Sequence, residues 1–332
     1  MRALRVTGSG GIENLTLADI DPPDDEPGEG EVLVAVAGAG VNFADLLMAE
    51  GRYQERPDLP FTAGMELSGT VLAVGPKVDG VFVGDRIAAA SGSGAFAERA
   101  IVKDHACLLV PNDFDLVEAA ALPIAYGTAH VGLTHRARLK AGELLLVTGA
   151  GGGVGLAAVA VGAALGAEVI AAASSAEKLD LAEAAGATHR IDYATEDLRE
   201  RVKQIAAEKG KRGADVVFDP VGGEIFEAAM RATGFEGRLL VVGFAGGTVQ
   251  QVPANHLLVK NIDVLGFYWG GYGKLDPAVH RESFRALHGM IDAGAIRPHI
   301  GARLPLEEAR DAYRLLAERR AVGKVVLEIA RP

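Results

Sequence analysis

Cysteine is almost missing from this chain. Cys107 is the single one in 332 residues, so an intramolecular disulfide is excluded and a reducing compartment fits. Positive charge is also in deficit, with 33 Lys and Arg against 44 Asp and Glu and a net charge of −11. Without a basic stripe to displace counterions, nucleic acid and anionic membranes are excluded as partners, although local groups can still hold an anionic ligand. Long apolar runs are lacking too. The alanine-rich stretch 153–167 is too short and too glycine-rich for a membrane span, which takes about 18 residues or more. The opening MRALRVTGSGG does not have the charged-then-apolar layout of a signal peptide, and the chain reads as cytoplasmic. The eight histidines, at 105, 130, 135, 189, 256, 280, 288 and 299, show no H-x-x-x-H or similar ligand spacing. There is no G-x-S-x-G elbow for a serine hydrolase.

What is present describes a compact protein with a sizeable core: 49% apolar residues, 43 glycines and 23% charged residues. The length favours about two domains. Residues 1–120 read as mostly β, with short apolar or alternating runs at 31–37, 67–74 and 86–90 separated by Gly, Pro and Asp. From about 123 to 265 the texture changes. Strands are expected at 143–148, 168–173, 189–192, 214–219, 237–243 and 261–267, with helices at 153–166, 175–185, 195–208 and 224–232. Such alternation means βαβ crossovers and a parallel sheet. The tail carries helical stretches at 277–293 and 306–319 and a closing strand, GKVVLEI.

The first strand of the alternating region runs into TGAGGGVGLAAVAVGAALGA, where Gly149, Gly152 and Gly155 give the spacing G-x-x-G-x-x-G. Small residues here allow a tight turn, close backbone approach to a pyrophosphate, and close packing of helix on strand. The helix that follows offers free N–H groups and a positive dipole end to phosphates. The strand–turn–helix context supports a dinucleotide site, whereas a triphosphate P-loop is disfavoured because no G-K-[ST] follows. An NADH site usually has an acid about 20 residues downstream, on the ribose hydroxyls. Here the second strand ends in Ala173-Ser174-Ser175, and Glu177 lies in the next helix, on its solvent side. Lys178, one turn into that helix, and the serine hydroxyls suit a 2′-phosphate, so the expected cofactor is NADPH.

Further stretches carry a family pattern: GVNFADLLMAEGRY (40–53), LPFTAGMELSGTVLAVG (59–75), VGDRIAA (83–89), GAFAERAIV (94–102), AAALPIAYGTAH (119–130), DVVFDPVGG (215–223), GRLLVVGFAGG (237–247), GFYWG (266–270) and GKVVL (323–327). With the glycine segment, they resemble the medium-chain dehydrogenase/reductase superfamily, in its zinc-independent quinone oxidoreductase branch, over nearly the whole length. The resemblance implies an α/β fold: a GroES-like β-barrel catalytic domain (1–122 and 266–332) plus a Rossmann doubly wound parallel-sheet domain (123–265) that binds NADPH. It also implies an active site in the cleft and a homodimer whose cofactor-domain sheet extends across the pair. It puts Asn42 and Thr128 near the nicotinamide, Gly152, Gly153 and Val154 at the pyrophosphate, and Ser174, Lys178 and Tyr193 at the 2′-phosphate. Phe244, Phe267 and Trp269 would shape the nicotinamide pocket or serve as core, and Lys324 would approach the same cleft.

Zinc-dependent relatives carry a catalytic Cys in the segment matching GVNFADL and a His in that matching GMEL; here these positions are Asn42 and Met65. An amide and a thioether are poor ligands, and a structural four-cysteine lobe is impossible with one cysteine. Glu66 then reads as a buried, hydrogen-bonded remnant, and Asp45 as a capping or pairing residue. Without a Lewis acid, suitable substrates accept hydride readily: a quinone, or alternatively an alkene conjugated to a carbonyl or acyl thioester. Tyr53 is the candidate proton or hydrogen-bond donor, with Asn42 orienting the nicotinamide or substrate and water as another proton source. Cys107 has no neighbouring activator and reads as a core residue. A nucleotide-binding sensor or scaffold with little turnover is the reading from a different class; the intact Asn42, Thr128 and GFYWG pattern weighs against it.

Overall fold

The protein is described here by a computed structural model covering residues 1–329. The chain divides into two units. One comprises Met1–Gly127, Gly270–Asp292 and the chain from Pro298 onward; the other comprises Thr128–Trp269 with Ala293–Arg297. In chain order the first unit begins with β1 (Arg2–Val6), β2 (Leu15–Asp19), β3 (Glu31–Val41), β4 (Phe61–Thr62), β5 (Glu66–Val74), β6 (Arg86–Ala90), β7 (Arg99–Lys103) and β8 (Cys107–Leu109). The second unit contributes β9 (Leu144–Thr148), β10 (Glu168–Ala173), β11 (His189–Asp192), β12 (Ala214–Asp219), β13 (Thr233–Val241) and β14 (Asp263–Gly266). The first unit is completed by β15 (Ile300–Pro305) and β16 (Lys324–Glu328).

In the first unit a three-stranded sheet has the order β2-β1-β4, and a seven-stranded sheet runs β15-β16-β3-β5-β6-β8 with β7 also on β3. The long strand β3 is the hub. Its run EVLVAVAGAGV is buried along most of its length, and it is paired by β5, β7 and β16, all antiparallel. Val32, Val34, Val36 and Leu327 join Phe96 and Tyr313 in one apolar cluster, the two rings meeting edge to face at 6.2 Å. The glycines of β3 are needed for close approach. A Cβ on Gly38 would stand 2.9 Å from the Val117 backbone, and one on Gly40 would stand 2.3 Å from the Glu66 carboxylate.

The second unit is a parallel six-stranded sheet of order β11-β10-β9-β12-β13-β14. β9, LLLVT, is buried throughout, as a strand covered on both faces must be. Helices Gly153–Ala164, Ala176–Ala184, Leu198–Glu208 and Gly223–Ala232 make the crossovers. The strand order reverses between β9 and β12, the topological switch point at which open α/β sheets place ligands beyond the strands' carboxyl ends.

Several elements depart from the sequence expectation. The mostly-β first third contains a helix, Phe43–Ala49, nucleated where the Asp45 carboxylate accepts the Asn42 backbone N–H at 2.8 Å. β13 starts at Thr233 instead of 237, because a register irregularity lets Ala214 pair with Thr233 before the regular ladder begins. The short helices Ala254–Lys260 and Trp269–Leu275 and the strand β15 lay outside the expected pattern as well. The expected helix 306–319 begins as a 3-10 turn, Leu306–Glu308, before Ala309–Ala317.

Candidate active site

The glycine turn lies at the carboxyl end of β9, and the three glycines of its G-x-x-G-x-x-G spacing do three different jobs. Gly149 has φ +58°, and a Cβ there would come 2.8 Å from the Val221 side chain, so a tight turn demands glycine. A Cβ on Gly155 would stand 2.2 Å from the Gly149 carbonyl oxygen, so the helix packs on the turn only without a side chain. Gly152 is different. Its φ of −87° suits any residue, and a Cβ would meet nothing nearer than 3.5 Å. Nothing within the protein requires glycine there; the room it leaves is outside the chain, in front of the helix N-terminus. That helix has no side-chain cap, so its first-turn N–H groups, including those of Gly153 and Val154, are left without intrahelical acceptors at this open space.

Lys178 reaches the same turn. Its stem lies against the bare backbone of Gly151, where a Cβ would stand 2.3 Å from the Lys178 Cβ. Ser174 is exposed at the tip of β10, and the Tyr193 N–H donates to the Ala173 carbonyl at 3.0 Å, bringing Tyr193 to that tip. Glu177 is exposed. Lys178, Ser174 and Tyr193 thus gather around the end of β10 beside the glycine turn, with no carboxylate from the strand tip itself. A structural partner that sequence reasoning passed over ties the switch point together. Asp219, fully buried at the end of β12, accepts from the Thr148 hydroxyl at the end of β9 and from the Gly222 N–H at 2.9 Å. Burial raises the Asp219 carboxyl above its ordinary range, against the hydrogen bonds from Thr148 and the Val221 and Gly222 N–H groups. The sequence signal was present: an acid closing a buried strand just before Pro-Val-Gly-Gly.

The first unit holds a cluster of another kind. Glu66 stands opposite Gly40 in the β3–β5 ladder, and Val325 opposite Val41 in the β3–β16 ladder. Asn42, one residue past β3, is therefore flanked by Glu66 on one neighbouring strand and Lys324 on the other. Lys324 Nζ donates to Asn42 Oδ1 at 2.8 Å and to Glu66 Oε1 at 2.6 Å. Asn42 Nδ2 donates to Glu66 Oε1 at 2.8 Å. The second oxygen, Glu66 Oε2, accepts the Ile124 N–H at 2.8 Å, in the first turn of helix Pro123–Val131, where a negative charge is favoured. Glu66 is fully buried and Lys324 only 5% exposed, so the charges are shielded and mutually compensated. Asp45, also buried, is pushed up to about 7 by burial, against its hydrogen bond from the Asn42 N–H; the Glu66 charge raises it further and the Lys324 charge opposes.

The remaining candidates are dispersed. Tyr53 is half-buried in the turn after helix Phe43–Ala49. Thr128 is buried within helix Pro123–Val131. Phe267 packs near Gly132, Phe244 is exposed beyond β13 beside Gly222, and Trp269 opens its short helix. The Cys107 sulfur lies 3.4 Å from the Lys103 carbonyl, and burial raises its pKa, with the Asp104 charge adding, which makes it a poor nucleophile. The residues around Asn42 do not fit a zinc ion. Met65 is buried, the Asn42 amide is engaged on both ends, and Glu66 is already met by an ammonium, an amide and a backbone N–H. Among the described residues, no group of three or more His, Cys, Asp or Glu is placed to hold a metal.

Residues 28–112 match the alcohol dehydrogenase GroES-like domain, and residues 153–288 match the zinc-binding dehydrogenase family. The chain is 43% identical over 316 residues to quinone oxidoreductase-like protein 2 of Mus musculus, covering 95% of this chain and 89% of the relative. It belongs to the medium-chain dehydrogenase/reductase superfamily. Within this superfamily of oxidoreductases it falls in the quinone oxidoreductase-like group, as the sequence resemblance implied. Among solved structures of that group, the Escherichia coli quinone oxidoreductase complexed with NADPH matches with a TM-score of 0.87 at 30% identity, over 99% of this chain and 100% of that one. The chain is also 33% identical to the human synaptic vesicle membrane protein VAT-1 homolog, over 98% of this chain and 86% of the relative.

Proposed function

We propose that this chain is a zinc-independent, NADPH-dependent reductase whose acceptor is a quinone. The observation that carries the reading is Lys178, laid on Gly151 beside the bare Gly152 position, at a β10 tip that has no carboxylate. Gly152, Gly153 and Val154 would hold the pyrophosphate on helix N–H groups, while Lys178, Ser174 and Tyr193 would meet the 2′-phosphate. NADPH, when bound, supplies the hydride. The family also supports this cofactor, since a relative of known structure was solved as its NADPH complex. Thr128, Phe244, Phe267 and Trp269 would frame the nicotinamide end. Asn42 would donate a hydrogen bond at the reacting centre, and Tyr53 would donate to the acceptor oxygen. The donor set at Asn42, Met65 and Glu66 leaves no Lewis acid, which restricts acceptors to those that take hydride unaided.

Initial rates of NADPH oxidation with 1,4-benzoquinone, phenanthrenequinone, an enone and crotonyl-CoA test the acceptor. Quinones should be fastest, and a strong preference for an alkene would replace this reading with an enoyl or enone reductase. Tight NADPH binding with no acceptor supporting oxidation would point to a sensor. For the cofactor, Lys178→Ala should weaken NADPH about tenfold or more while leaving NADH nearly unchanged, as expected when one charge-assisted phosphate contact is lost; equal loss for both would overturn the assignment.

The same reading includes a homodimer and a cytoplasmic location. Support for the dimer is the edge strand β14, beside which Leu258 and Val259 are 77% and 74% exposed. Sedimentation at the monomer mass would sink it. Among the described residues no helix is long and apolar enough to cross a membrane. Fractionation with membranes would contradict the location.

A further inference from the structure

Asn42 is the one polar side chain of its cluster that is neither charged nor fully buried, and its surroundings dictate which way its amide faces. An ammonium is a donor only, and a carboxylate is an acceptor only. Lys324 Nζ, 2.8 Å away, therefore requires the amide oxygen, and Glu66 Oε1, also 2.8 Å away, requires the amide nitrogen. Exchanging the two by a flip would set oxygen against carboxylate and N–H against ammonium at once. The usual ambiguity of an asparagine is removed by two charges on separate strands.

We infer that Glu66 and Lys324 are positioning residues that lock the polarity of the Asn42 carboxamide, so that it meets a ligand as an N–H donor and not as an acceptor. The amide oxygen is spent on Lys324. The second Nδ2 proton has the Gly40 carbonyl at 3.5 Å, the limit of a hydrogen bond, and the Asp45 carboxyl also bonds the amide, so a ligand oxygen would take this proton in competition with these two. The ammonium on Oδ1 also polarises the amide and strengthens that donor. An N–H held this way recognises an acceptor oxygen, above all one that gains negative charge as hydride arrives at a conjugated carbonyl carbon or quinone. Gly40 belongs to the device, because a side chain there would occupy the place of the Glu66 carboxylate. The inference rests on the proposed placement of Asn42 at the reacting centre.

The test combines a rate with a spectroscopic signature. The five asparagines, at 14, 42, 112, 255 and 261, are labelled with ¹⁵N, and the side-chain pair of Asn42 is assigned by its loss in Asn42→Ala. Lys324→Met, Lys324→Arg, Glu66→Gln and the double variant Lys324→Met with Glu66→Gln are compared in the full chain. The double variant removes both buried charges and keeps the test open if a single one folds poorly. The lock predicts that Lys324→Met and the double variant shift or broaden the Asn42 pair. They should also slow single-turnover hydride transfer to a quinone on the order of tenfold to a hundredfold, as expected for a misplaced group, with NADPH Kd little changed. Lys324→Arg should restore most of the rate. Combining either with Asn42→Ala should add nothing further to the loss. An Asn42 pair unmoved by Lys324→Met, or rate losses additive with Asn42→Ala, overturns the lock. If the pair moves but Asn42→Ala transfers hydride at the wild-type rate, the lock stands and the placement of Asn42 at the reacting centre falls.

Discussion

The two units build their candidate sites from opposite materials. In the second, the turn after β9 works through missing side chains: Gly149, Gly152 and Gly155 stand where a Cβ would break a turn, fill an open space or push a helix away. In the first, the end of β3 works through buried charge, with Glu66, Lys324 and the Asn42 amide interlocked across three strands. A site made of backbone is insensitive to pH and intolerant of bulk. A site made of buried charge tolerates isosteric change but not the loss of one partner. That contrast can be broken or sharpened by experiment.

The largest effect is expected from Lys324→Met. It strands the Glu66 carboxylate in the core and should cost about 3–5 kcal/mol of stability. Chemical denaturation of the cofactor-free chain measures it, and adding Glu66→Gln should recover a good part; no recovery would show that packing and not charge holds this end of β3. Next comes Asp45, whose carboxyl is pushed up to about 7, above its ordinary 3.8. A carboxyl raised on folding contributes stability that is whole below the unfolded value and is lost as pH climbs through the folded one. Wild type should therefore lose stability relative to Asp45→Asn between about pH 4 and pH 7, by up to about 4 kcal/mol. Parallel melting curves against pH would contradict this. In the glycine turn, Gly155→Ala should cost about 1–3 kcal/mol of cofactor-free stability through overpacking. Gly152→Ala should cost almost none, yet weaken NADPH about tenfold by closing the open space. Equal destabilisation by both would erase the distinction drawn between them.

The two sites also differed in how far they were legible beforehand. The turn is contiguous, so the single stretch 144–164 displays its spacing, the preceding apolar strand and the helix that follows. The missing acid at Ala173–Ser175 was equally local. Asn42, Glu66 and Lys324 each stand out in the sequence for a separate reason, and no local spacing shows that the Lys324 ammonium bonds both of the others. What joins them is register: Gly40 against Glu66 and Val41 against Val325, pairings between strands far apart in the chain. The Asp219 hub was missed for the same reason, since its partner Thr148 lies on another strand. The signal for the helix Phe43–Ala49 is local, an Asn cap with an acid three residues on, but the β-rich stretch around it outweighs those two residues in the sequence pattern.

The position of Lys324 also matters while the protein is being made. The ribosome adds this lysine 258 residues after Glu66, a delay on the order of ten to fifty seconds at ordinary synthesis rates. During that interval all six strands of the parallel sheet, complete by Gly266, are available to assemble. The earlier half of the first unit is not so placed: its acid has no counter-charge and β3 no β16 beside it. Closing the core around Glu66 before β16 is made would bury an uncompensated carboxylate, so the first unit is expected to stay half-closed until that strand arrives. A nascent chain stalled shortly before residue 324 would present chaperones and proteases with the same half-closed molecule.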